Sequence, residues 1–177
     1  MNINKLFILC FVFIGCDSIE NHTNKIAFTS KPSIIVLGNV QDGGSPHIGC
    51  KKKCCKDLFT NPDKNRMVTS LGLIDPIEKK SWIIEASPDY PRQAKILSDY
   101  CKYNENPNGI FLTHAHIGHY AGLMYLGKES LNASNIPVFA MTRMKGFLIQ
   151  NGPWSQLVNL KNIKLNNIDH LQNSTLS

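Results

Sequence analysis

The sequence predicts an α/β domain, and three observations carry that prediction. Short apolar runs that stop at turn residues recur along the chain: Ser33 to Gly38, Ile110 to Thr113, and Ile136 to Met141. Such runs read as buried strands. Stretches of helical period lie between and after them. Tyr90 to Tyr103 repeats Ala94, Leu97 and Cys101, and Thr142 to Gln150 repeats Met144, Phe147 and Leu148. The length of 177 residues and the apolar fraction of 42% suit one domain with its own core.

Residues 1–15 read as an export signal. Lys5 precedes an apolar stretch, Leu6 to Ile14, that is too short to span a bilayer comfortably. It ends Ile14-Gly15-Cys16, which resembles a bacterial lipoprotein signal. The resemblance implies cleavage before Cys16, lipid on Cys16, and a membrane-anchored place in the bacterial cell envelope. Residues 16–32 are polar and read as the lipidated Cys and its tether, and residues 33–177 as the domain.

Ser33 to Gly38 is the first expected strand. A tight loop follows, Gln41-Asp42-Gly43-Gly44-Ser45-Pro46, and loops after strands are where sites are built. Asp42 has two readings there, one as an active-centre carboxylate and one as turn chemistry. His47, Cys50, Cys54 and Cys55 come next, four candidate ligands within nine residues. Thiolate and imidazole suit structural zinc. A disulfide and free thiols are the rival readings, the disulfide favoured by an exported location. Lys51, Lys52 and Lys53 read as a solvated loop. The net charge of +6 is otherwise spread out, with no aromatic-basic stripe, so no nucleic acid is expected.

Thr69 to Ile74 and Ser81 to Ala86 read as a hairpin turning at Asp75 to Lys80. After the Tyr90 helix and a turn, the chain reaches Gly109-Ile110-Phe111-Leu112-Thr113-His114-Ala115-His116-Ile117-Gly118-His119. Residues two apart in an extended segment project to one side, so His114 and His116 point together. His119 lies where the chain turns into a helix expected over His119 to Leu131. With six histidines in 177 residues, this spacing would arise by chance about 0.007 times. Neutral imidazole is the commonest metal ligand, and the three read as a metal site. Further on, Trp154 in Asn151-Gly152-Pro153-Trp154-Ser155 reads as a wall of a small-molecule substrate pocket, and Gln156 to Lys164 as a strand or extended edge. The methionines read as core.

The stretch Thr113 to His119 resembles the metal motif of the metallo-β-lactamase superfamily, commonly H-x-H-x-D-H after an apolar strand. Val36 to Cys50, Glu85 to Asp89, Gly122 to Gly127 and Asn151 to Ser155 extend the match to the branch related to the B protein of pyrroloquinoline quinone biosynthesis. The resemblance implies an αββα sandwich and a metal, zinc or alternatively iron. It implies a hydrolase in which metal-bound water attacks an ester, amide, thioester or phosphoester. The iron version would be an oxygenase related to quinone cofactor biosynthesis. It also implies a structural metal at the cysteine loop and an acidic residue beside the metal site at the Glu85 strand end. Asp89 there has two uses, support of a histidine ligand or capping of the next helix.

Position 118 is Gly where most of that superfamily has Asp, and Asp42 or Asp89 would have to act as base instead. Strands can be placed for the first half of such a sandwich only. His170, the sole histidine beyond His119, follows no apolar strand. The expectation is a chain truncated after its first half, with an open sheet face for a partner to cover. A non-catalytic envelope lipoprotein is the alternative function.

Overall fold

The computed structural model describes residues 30–169. The export signal, Cys16, most of the tether and His170 lie outside the described residues.

Six strands form one sheet whose spatial order follows the chain. Strands β1 (Ser33–Gly38), β2 (Ser70–Asp75) and β3 (Lys80–Ile84) make an antiparallel meander. The hairpin between β2 and β3 closes on Asp75, whose carboxylate accepts the Ile77 and Glu78 amides. Strands β4 (Gly109–Phe111), β5 (Ile136–Ala140) and β6 (Ile163–Asn167) add in parallel.

Parallel neighbours require crossovers. A short helix α1 (Lys53–Lys56) lies between β1 and β2, outside this pattern. The crossovers are α2 (Tyr90–Cys101), then α3 (Ile117–Tyr120) with a 3-10 extension (Ala121–Leu126), then α4 (Thr142–Gln150) with α5 (Trp154–Asn159).

The core lies on one face of the sheet. Leu37, Ile74, Ile83, Ile110, Val138, Ala140 and Ile163 supply the strand side. Ala94, Leu97 and Cys101 of α2, with Leu123, Leu126, Leu148 and Leu157, supply the helix side. Burial of each large aliphatic side chain contributes about 1.5–3 kcal/mol. The intervening residues point to the other face. Registers align Val36 with Leu71, Leu71 with Ile84, Ile84 with Phe111, and Phe111 with Phe139. Phe111 and Phe139 stack at 4.6 Å. No helix of the described residues covers this face, and Ile34 and Val36 on it are 68% and 66% exposed. The expected open face is therefore present among the described residues.

Two expected elements differ. The helix after the histidines ends at Leu126, not Leu131, and is largely 3-10. Gly118 and Gly122 weaken an α-helix there. A Cβ on Gly122 would lie 2.1 Å from the Ser87 carbonyl oxygen, so backbone contact sets the path. The segment read as extended from Gln156 instead begins with α5, and the strand starts at Ile163. Trp154 and Leu157 are the buried residues of that helix, a three-residue spacing too brief to register as a period.

Candidate metal centre

Strand β3 ends beside β4, and both ends feed one site. Glu85 follows β3 with φ of +73°, a left-handed conformation that costs a non-glycine residue about 1–2 kcal/mol. Its backbone is clamped on both sides. The Glu85 amide donates to Phe111 O at 2.8 Å, and the Ser70 hydroxyl donates to the Ile84 and Glu85 carbonyls. Strain held this firmly is a mark of functional positions. The carboxylate turns under the histidine loop and accepts the Thr113 amide through Oε1 at 3.2 Å. Ala86 N–H donates to His119 O at 3.0 Å and Gly122 N–H to Ala86 O at 2.8 Å, so the two segments are stitched together.

Ligand atoms of Glu85, His114 and His119 lie within 4.8 Å of one another. The His114 ring centre is 4.1 Å from that of His119 and 4.6 Å from that of His116. His116 and His119 are farther apart, at 6.5 Å. His116 projects outward at 73% side-chain exposure, whereas His119 is 13% exposed and Glu85 6%. Glu85 Oε2 faces His119 Nδ1 at 3.4 Å, and both atoms are buried without a hydrogen bond. Buried polar atoms rarely lack a partner. A divalent cation fits this donor set of two imidazoles and a carboxylate. Burial pushes the Glu85 carboxyl above its ordinary 4.5, while the Thr113 hydrogen bond and the charge of His119 act the other way.

The remaining expected site residues fall into three places. Asp42 Oδ2 lies 3.7 Å from His116 Nδ1, at the edge of the histidines. Asp89 stands at the start of α2, its carboxylate accepting the Val68 amide at 2.8 Å, and it is not one of the close group. Cys50, Cys54 and Cys55 form a second group whose sulfurs lie within 4.8 Å of one another. All three are free thiols, and Cys101 is buried as expected. His47 lines the same cavity as the three cysteines, but its Nδ1 pairs with Ile48 O at 3.0 Å, and it is not one of that close group.

The sheet and its helices have counterparts among solved structures. Zn(2+)-bound PqqB from Methylobacterium extorquens matches with a TM-score of 0.60 and 19% identity, covering 77% of this chain and 49% of that one. A diphosphatase from the PhnP family matches with a TM-score of 0.57 and 21% identity, covering 78% and 51%. The fold is that of the metallo-β-lactamase proteins. The chain spans about half the length of the solved structures it matches. No protein-family model and no curated protein matches it.

In this metallo-β-lactamase half-fold, a cavity of about 570 Å³ opens beside His114. Met144, Phe147 and Ile168 line it together with Arg143 and Asp169. Trp154 does not line it, contrary to expectation. Its ring packs against Tyr120 at 4.6 Å and Phe147 at 5.8 Å, so it backs the wall that Phe147 forms. Glu85 is absent from the ligand set that the sequence suggests. A signal for it exists, a carboxylate at the end of an apolar strand before a small-residue turn. Met144 is buried, as a core reading requires, and it also meets the cavity.

Proposed function

We propose that the chain is a metal-dependent hydrolase whose substrate enters the cavity beside His114. The observation that carries this reading is the buried, unpartnered pair Glu85 Oε2 and His119 Nδ1 next to His114. Glu85, His114 and His119 would hold the ion. Zinc bound by such residues supplies Lewis acidity and a coordinated water of pKa about 7.

The residues of this chain set the rest. Glu85, locked by Thr113 and by its own backbone clamps, would present its carboxylate to the ion beside His119. Met144 and Phe147 give the cavity an apolar wall that excludes water from one side. Arg143 and Asp169 put one charge of each sign on its lining. The diphosphatase among the matched structures adds weight to a phosphoester over the ester, amide and thioester alternatives. Three-ligand sites built from His and carboxylate keep one position open for substrate or water.

The test is a His114→Ala variant of the full chain beside the wild type, with metal content and hydrolysis of phosphodiester, ester, amide and thioester probes measured together. Loss of metal and of hydrolysis in step is the expected result. Hydrolysis that persists without the ion would overturn the reading. A second reading, metal binding without turnover, is favoured by the half-length match. It would show as metal lost in His114→Ala with no hydrolysis in either protein.

A further inference from the structure

His116 stands apart from the close group of Glu85, His114 and His119. The residue that faces it is Asp42, on the loop that follows β1.

That loop is tied to the sheet. The Asn39 and Val40 amides donate to Met67 O, and the Thr69 amide donates to Val40 O at 2.8 Å. The Gln41 side chain closes the turn, accepting the Gly43 amide at 2.9 Å and donating to Gly44 O at 3.1 Å. The backbone of Asp42 is thereby pressed onto Gly118. A Cβ at position 118 would lie 2.3 Å from Asp42 Cβ, 2.5 Å from its carbonyl oxygen and 2.6 Å from its Cα. Any side chain at 118 and the observed place of Asp42 exclude each other.

We propose that Asp42 is a positioning residue for His116, admitted to the site by the absence of a side chain at Gly118. This rests on the metal reading above. Glu85 faces Nδ1 of His119 at 3.4 Å, and Asp42 faces Nδ1 of His116 at 3.7 Å. The Asp42 contact leaves Nε2 of His116 for a cation, and histidine ligands commonly give their other ring N–H to a carboxylate. An exposed contact of this kind adds little stability, so its use lies in aiming the ring.

The test is cobalt(II) titration of the full chain, read by its visible ligand-field spectrum, for wild type, Asp42→Asn, Gly118→Ala and His114→Ala. Thiolate ligation at the cysteines is separated by its near-ultraviolet charge-transfer band. Asp42→Asn keeps the shape of the side chain and is expected to weaken binding about 10–100-fold and to shift the spectrum. Gly118→Ala is expected to do the same by displacing Asp42, with a thermal melt to show that it folds. An unchanged affinity and spectrum in Asp42→Asn, with binding lost in His114→Ala, overturns the proposal and leaves the metal reading standing. Binding unchanged in His114→Ala overturns both.

Discussion

The histidine group and the cysteine loop each bring three donors within 4.8 Å, but they are assembled differently. Glu85, His114 and His119 come from the ends of two neighbouring parallel strands and the helix that follows. The sheet ladder and the Ala86–His119 and Gly122–Ala86 hydrogen bonds set their spacing. Cys50, Cys54 and Cys55 lie within six residues of chain, on and before a four-residue helix whose one buried residue is Cys55. The first group is organised by the fold. The second is organised by local chain and gains most from an ion.

The largest expected effect tests that dependence on the fold. Gly122→Ala puts a Cβ 2.1 Å from Ser87 O and 2.9 Å from Ala86 O, both backbone atoms that cannot swing away. A loss of about 3 kcal/mol is expected, measured as a lower urea midpoint, with weaker metal binding at the histidines and the thiolate cobalt band kept. Equal loss at both groups would break the distinction.

Glu85→Gln comes next. Metal affinity at the histidines is expected to fall about 10–100-fold in a competition titration. The metal-free chain is expected to respond in the opposite sense. A carboxyl raised above its unfolded value of 4.5 favours the fold while protonated and loses that contribution as the pH rises through its folded value. Glu85→Gln should therefore gain on wild type towards neutral pH and lose that gain in acid, in urea melts across pH. A gap independent of pH would refute the cost assigned to the buried charge.

Cys54→Ser should matter least. Cys54 is exposed, and the metal-free fold should change by about 0.5 kcal/mol at most. The thiolate band should weaken, and histidine affinity should move by about twofold at most. A larger change would mean that the loop running from Asp42 to Cys50 transmits between the groups.

Strands β1 to β5 and the grouping of the histidines are legible in the sequence, because short apolar runs and a fixed histidine spacing are local signals; β6 is not, since its expected stretch begins in α5. Ile110, Val138 and their neighbours are legible as core for the same reason. Glu85 is harder, since only the pairing of β3 with β4 brings it under His119. The contact of Asp42 with Gly118 joins residues far apart in sequence, and no local pattern encodes it. The role of Trp154 escapes a sequence reading because a loop aromatic and a core aromatic look alike until Tyr120 and Phe147 are seen around it.

Strands β3 to β6 all point the same way, so Glu85 and the histidines collect at one rim and the other rim carries turns. Asn104 and Asn108 close that far rim by hydrogen bonds to Lys79 O and the Ser81 amide, while Glu105 and Asn106 between them are exposed. A fluorophore or surface tether joined at Glu105 or Asn106 would hold the molecule on a support with its mouth turned outward.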